Sequence, residues 1–262
     1  MNKKFLIILF ISAFVLAACG SSAVTKEEKQ AQLRPDIDSI QAVQRAVDEF
    51  QADNGVLPIK NSEQDTDVYI KYQIDFSKLA PKYLTQAPLN SFEKGGLFQY
   101  VLWDVENDPT VKLIDLRIPE KLRELNIRQL SEQYPAFGQE VGEFVYKIDF
   151  KALGFDAELT VQSPYTTNLL PLIVTGEGDV YVDYTLDLQK ALEASTVELS
   201  NEDARALLIS DDSYFLPAYS LPYKINENNE IVIDYDAKKS MEEKRQKRIE
   251  EYEKKQQAEN NQ

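Results

Sequence analysis

The 262-residue chain contains no histidine and one cysteine. Without histidine there is no imidazole base, no Ser-His or Cys-His nucleophile pair and no His-ligated zinc site. Ordinary hydrolase and metalloprotease chemistries fall away together, leaving carboxylate, lysine, tyrosine or hard-cation chemistry. The single cysteine, Cys19, allows no disulfide within the chain, so the fold stands on packing alone. No glycine-rich phosphate loop, Cys-x-x-Cys pair or nucleophile elbow is present. Basic side chains are also in deficit, 29 against 44 acidic for a net charge of −15. So acidic a surface repels nucleic acid and anionic head groups, which argues against a nucleic-acid partner. The one long apolar run, Phe5 to Ala18, has 14 residues and is too short to span a bilayer comfortably.

That run follows Lys3 and Lys4 and closes on Leu16-Ala17-Ala18-Cys19. A charged start, a short apolar middle and small residues before a cut describe a secretory signal over residues 1–18. With cysteine directly after the small residues, the stretch resembles the lipobox of bacterial lipoproteins, of the Gram-positive type. The resemblance implies cleavage between Ala18 and Cys19, a diacylglyceryl thioether on Cys19 and attachment to the cell membrane on its extracytoplasmic side. A plain secretory peptide with an incidental cysteine is the competing reading. Cleavage removes two basic residues and takes the mature chain from −15 to −17. Acyl chains would hold it at the membrane against head-group repulsion, each buried CH₂ contributing about 0.8 kcal/mol.

Residues 19–33 are polar and read as a tether. Beyond Pro35, Ile37, Ile40, Val43, Val47 and Phe50 recur at helical spacing, and Asp53-Asn54-Gly55 ends the helix with a glycine suited to the left-handed cap. Val68 to Phe76 alternates like a strand, and Leu97 to Val105 and Val111 to Leu116 flank Glu106-Asn107-Asp108-Pro109 as a hairpin. Asp53, Asn54, Gly55, Pro58, Tyr83, Leu84, Pro88 and Tyr100, in that order within residues 36–116, are similar to the globular part of type II secretion pseudopilins. A pilin's long apolar N-terminal helix is missing, so the resemblance does not imply assembly into a pilus.

The plan then repeats. Leu122, Leu125, Ile127 and Leu130 mark a helix opened by Pro119-Glu120, and Tyr146 to Leu153 echoes Tyr72 to Leu79. Leu169 to Val174 and Val180 to Tyr184 flank the turn Gly176-Glu177-Gly178-Asp179, with Asp183 in the place of Asp115. A shorter third copy starts at the cap signature Ser200-Asn201-Glu202-Asp203 and ends in a hairpin turning at Asn226 to Asn229. A chance echo of good strand chemistry is the competing reading. The expected fold class is α+β, with tandem units of a helix packed on an antiparallel sheet at 34–118, 119–195 and, shorter, 196–235. The tail, 236–262, is polar on every side and predicted as solvated and partly helical.

Asp104, Glu106, Asn107 and Asp108 gather oxygen-bearing side chains at a hairpin tip, where a hard cation such as calcium takes six to eight oxygens. Asp104, Glu106 and Asp108 are therefore candidate calcium ligands, and the pseudopilin resemblance implies the same. Ordinary turn composition accounts for these residues equally. Glu177 and Asp179 read either as a carboxylate pair or as part of a tight turn. Trp103 reads as a core residue or a stacking platform, and Tyr69, Tyr72, Tyr146, Tyr165, Tyr181, Tyr184, Tyr219, Tyr223 and Tyr235 as an aromatic face or as bridges between sheet and solvent. The function expected is a non-enzymatic binding or scaffold module for an envelope protein. Calcium or small-ligand binding is the alternative, and a carboxylate-based wall hydrolase the third reading.

Overall fold

The computed structural model describes residues 35–63, 66–132, 135–195, 203–210 and 212–260. Ala18, Cys19 and the predicted signal and tether lie outside them, as do Ser200, Asn201 and Glu202 of the predicted cap. The architecture is α+β, with two hydrophobic cores, each a helix-covered antiparallel sheet.

Helix α1 (Ile37–Asn54) buries Ile40, Val43 and Val47 of the predicted stripe together with Ala46, while Phe50 is half-buried and Ile37, at the first position, is 49% exposed. It stops at Gly55, whose φ of +68° suits glycine and whose N–H bonds Gln51 O. Strands β1 (Phe98–Trp103) and β2 (Thr110–Asp115) pair antiparallel from Phe98 opposite Asp115 to Trp103 opposite Thr110. Both are buried along nearly their whole length, because α1 covers one face and further segments cover the rest.

The strand predicted from Val68 to Phe76 is corrected by the structure. Asp67 accepts the Tyr69 N–H at 2.8 Å and starts the one-turn helix α2 (Val68–Lys71), while Asp75 accepts the Ser77 N–H at 3.1 Å and starts α3 (Phe76–Leu79). Only the stretch between is extended, and it adds to the free edge of β1 through Ile74 N–H to Tyr100 O and Leu102 N–H to Tyr72 O. An aspartate at each end of a short apolar run captures the next N–H groups and turns the chain.

In the second unit α4 (Arg117–Glu132) starts where Asp115 accepts the Arg117 N–H. It buries Ile118, Leu122, Leu125 and Gln129. Ile127 and Leu130, expected on that face, are 57% and 79% exposed. The sheet comprises β3 (Phe137–Gly142), β4 (Val145–Ile148), β5 (Thr160–Gln162), β6 (Leu169–Thr175) and β7 (Val180–Val182), ordered β3-β4-β6-β5 with β7 also on β6. Helix α5 (Thr185–Ala194) follows, its buried Asp187 accepting hydrogen bonds from Ser163, Thr166 and Asn168. Neither β3 nor α5 was read from the sequence: β3 is exposed and glycine-flanked, while the helical spacing of α5 was overlooked.

The predicted third unit has no core of its own. A 3₁₀ turn at Ala204–Leu208 and the hairpin β8 (Tyr223–Ile225) and β9 (Ile231–Ile233) pack into the second core beside Leu125, Leu170 and Val182. Phe215 packs instead into the first, with Val43, Tyr100 and Leu113. Between them the backbone joins both sheets: Leu113 N–H bonds Tyr214 O and Leu216 N–H bonds Leu113 O, while Val182 N–H bonds Tyr219 O. Lys112, 4% exposed, reinforces the join by donating to Ser210 O and Ser213 O. The chain ends in α6 (Tyr235–Asn260), a continuous helix where a partly helical tail was expected.

The echo between residues 72–79 and 146–153 is a shared local structure. In each, an isoleucine is buried in an extended segment, an aspartate accepts an N–H of the following turn, and that turn buries Phe and Leu. Asp115, Asp183 and Asp234 likewise close three hairpins by accepting the N–H of Arg117, Thr185 and Ala237 at the start of the next helix.

Arg205 carries the contact between the units. It is 4% exposed, forks onto Asp203 through Nε and Nη2 at 2.8 and 2.6 Å, and donates Nη1 to Ser220 O at 3.0 Å. Its guanidinium also lies 4.8 Å from the Tyr69 ring of the first unit. Arg205→Ala strands Asp203 and a carbonyl together, so chemical denaturation should show a loss of about 3 kcal/mol. Arg205→Lys should recover only a minor part, because an ammonium lacks the fork.

Candidate binding clefts at the root of the C-terminal helix

One cleft is lined by the first turns of α6, and a second by the β6–β7 turn that holds them. The larger, about 470 Å³, lies at the junction of the units, with α2 on one side, residues 203–222 on another and the helix root on the third. Asp67 caps α2 so that Tyr69 turns inward, stacking on Trp103 at 5.3 Å on one side and meeting Arg205 on the other. Trp103 is thus half-buried support for the cleft wall rather than an exposed platform. Tyr72, Tyr181 and Met241 complete an aromatic and thioether lining. Burial pushes the Tyr69 hydroxyl up to about 12, with Arg205 opposing and Asp203 assisting, so it remains a neutral hydrogen-bonding group near pH 7.

The helix root is an ion cluster. Tyr235, 3% exposed, packs with Val145, Ile173 and Leu221 and donates its hydroxyl to Glu177. One turn on, Lys238 is buried with Nζ at 3.2 Å from Glu177, 3.8 Å from Asp179 and 3.2 Å from Glu242. The root of the predicted solvated tail is therefore part of the fold, because a lysine stem can lie along apolar surface while its head meets carboxylates. The hydrogen bond from Tyr235 holds Glu177 down at about 2 against the opposing effect of burial, and Lys238 adds to it. Phe144 clasps the same root from the β3–β4 turn at a φ of +54°, with its ring 5.6 Å from Tyr235 and the Lys239 ammonium 5.1 Å away.

The smaller cleft, about 420 Å³, lies between the end of α4 and the β6–β7 turn. Its lining includes Asn126, Gln129, Leu130, Pro135, Glu177 and Asp179. Gly178, at φ +92°, passes so close to Pro135 that a Cβ there would lie 3.0 Å from the proline Cγ. The tight-turn reading of Gly176 to Asp179 is what the structure contains, with Thr175 N–H bonding Asp179 O at 2.9 Å.

The calcium site expected at Asp104, Glu106 and Asp108 is not assembled. Asp104 takes a φ of +49°, its carboxylate accepts the Asn107 side-chain amide at 2.7 Å, and its carbonyl accepts the N–H groups of Asn107 and Asp108. These bonds close the turn, and the three acids stay exposed without converging. Among the described residues no group of three or more acidic or cysteine side chains is placed to hold a metal ion. By contrast, Asp53, Asn54, Lys82 and Tyr83 do meet. Lys82 and Tyr83 donate to Asp53 at 2.7 and 3.0 Å, and Asn54 donates to the Tyr83 hydroxyl at 3.1 Å. Tyr100 reaches Asn90 at 2.8 Å in the core.

Arg205 and Lys238 are the residues that sequence reasoning missed. Asp203-x-Arg205 repeats the spacing of Asp115-x-Arg117, a second fork at a helix start. Tyr235, Lys238 and Met241 fall at three-residue steps and formed the one hint of a buried face in the tail.

Among known families, the profile described as the YphF family N-terminal domain matches residues 36–115, from α1 to the end of β2. It reaches the larger cleft only at α2. No curated protein and no solved structure matches the chain. Among the described residues no helix is long and apolar enough to cross a membrane.

Glu177 carries a pH dependence. Its carboxyl is ordinary at 4.5 when unfolded and near 2 when folded, so its contribution is complete above 4.5 and is lost as the pH falls toward 2. Glu177→Gln should flatten this part of the acid limb, measured as the wild-type minus variant difference in Tm across that window. A difference unchanged between the two ends would show that Glu177 does not anchor α6.

Proposed function

We propose that this chain is a lipid-anchored, non-enzymatic binding module that docks an envelope protein on the extracytoplasmic side of the membrane, with the junction cleft as its docking surface. The observation that carries the reading is the make-up of that cleft. Its two buried cations, Arg205 and Lys238, are paired with carboxylates, and the wall sets Tyr69, Tyr72, Tyr181 and Met241 among Asp67, Lys71, Asp203 and Glu242. Tyr, Met and Arg are the residues enriched at protein interfaces, where rigid aromatics supply area at low entropic cost. Chemistry is less well served. Tyr69 near 12 and Glu177 near 2 are both far from the operating range of an acid–base catalyst. Leu16 to Cys19 support the anchor, and the excess of acidic residues favours a body standing off an anionic surface.

A photo-crosslinking residue placed at Val68, which lines the cleft and is 51% exposed, tests this in intact cells beside the same residue at Glu106 on the hairpin tip. One envelope protein should crosslink from Val68 and not from Glu106. Cys19→Ala should abolish incorporation of labelled fatty acid into the chain. Identical adducts from both positions, or a Cys19→Ala chain that still takes up the label, would overturn the reading.

A further inference from the structure

The junction cleft holds hydrogen-bonding capacity that the fold itself does not use. Tyr69 is 6% exposed, and its hydroxyl, like those of Tyr72 and Tyr181, meets no hydrogen-bond partner among the described residues. The orphaned hydroxyls of Tyr165 and Tyr184 are sealed inside the protein, whereas that of Tyr69 keeps accessible surface, and the cleft is the opening that Tyr69 lines. A largely buried hydroxyl in that state gains from a partner brought to it. Charge is balanced around it. The described lining sets three acids, Asp67, Asp203 and Glu242, against three bases, Lys71, Arg205 and Lys238. The acids are engaged: Asp67 accepts the Tyr69 N–H, Asp203 takes the Arg205 fork and Glu242 lies 3.2 Å from Lys238. The lining therefore offers an occupant no net charge, and complementarity selects an uncharged one. What remains on offer is aromatic area, the flexible thioether of Met241 and hydroxyls free to donate.

A polyproline II segment answers each of these. Its carbonyls accept without N–H groups in competition, its pyrrolidine rings pack on tyrosine faces, and its backbone is extended before it docks, so little conformational entropy is lost. A sugar ring, or a segment rich in N–H groups, would call on acceptors, and the carboxylates of this lining are committed. We propose that the junction cleft binds an uncharged, proline-rich segment of the partner in polyproline II conformation, with prolines against Tyr72, Tyr181 and Met241 and a carbonyl accepting from the Tyr69 hydroxyl. This names the chemistry of the partner and rests on the docking role given to the cleft above.

The test uses the isotope-labelled full chain in detergent micelles and two probes, acetyl-octaproline-amide and a glycine-serine peptide of equal length, which has the carbonyls without the rings or the stiffness. Octaproline should saturably shift the methyl resonance of Met241, one of two methionines, and the indole resonance of Trp103, the single tryptophan, which stacks on Tyr69. The expected Kd is about 0.1 mM. Tyr69→Phe keeps the ring and removes a hydroxyl that bonds nothing in the fold, so the Tm should hold while the Kd rises about fivefold, as for one lost hydrogen bond. Met241→Glu, at a position 47% exposed, puts an unpaired charge in the cleft and should weaken binding about tenfold. Equal binding of the glycine-serine peptide, saturable shifts with chitotriose and none with octaproline, or full binding by both variants would overturn the proposal. A Val68 adduct in cells without octaproline binding would sink this inference and leave the docking role standing. Octaproline binding without that adduct would keep the proline chemistry and remove the envelope partner.

Discussion

The backbone of Tyr214 to Ser220 is the constraint on which the rest depends. It lies along β2 at one end and β7 at the other, so one short segment completes a sheet edge in each core. Strand edges carry unpaired N–H and C=O groups that must be satisfied by something. Here one edge of each sheet is satisfied by the same stretch, and the two cores are held together by obligatory hydrogen bonds as well as by contact. Arg205, buried, donates to Ser220 O at the end of this stretch, and Lys112, also buried, donates to Ser210 O and Ser213 O just before it, which ties side-chain charge to backbone geometry.

Aspartate supplies the local grammar. At Asp67, Asp75, Asp115, Asp149, Asp183, Asp203 and Asp234 a side chain accepts an N–H two or three residues on, and each marks the point where extended chain becomes helix or turn. The internal repetition rests on this device: a short apolar strand, an aspartate and a turn that buries the next apolar pair. A chain with few glycines and no disulfide has to turn by such local bonds. Much of its acidic excess remains at the surface, but these carboxylates have structural partners and are not free for metal or proton chemistry.

Charge at the root of α6 links fold to binding. Among the described side chains of the helix the buried ones, Tyr235 and Lys238, lie in its first turn, held by the carboxylates of the β6–β7 turn. The same Glu177 and Asp179 form the wall of the smaller cleft, and Lys238 belongs to the lining of the larger one.

Helix α1 with its Gly55 cap, the β1–β2, β6–β7 and β8–β9 hairpins and the start of α4 were all legible in the residues, because each depends on spacing within a few positions. The Val68 to Phe76 stretch was misread, since alternation was weighed above the aspartates at its two ends. The exposed strand β3 left no hydrophobic period to read, whereas α5 carries Leu188, Ala191 and Leu192 at helical spacing and was overlooked. The candidate calcium loop was composition without convergence: Asp104 spends its oxygens on closing its own turn. By itself the sequence determined local elements, the acidic balance and the exclusion of histidine and intrachain disulfide chemistry. Only the tertiary structure decided that Ala204, Leu208, Tyr223 and Ile231 join one core and Phe215 the other, and that Tyr69, Arg205 and Lys238 border one cleft. Those residues lie far apart along the chain, and no local spacing encodes a meeting made by edge pairing and burial.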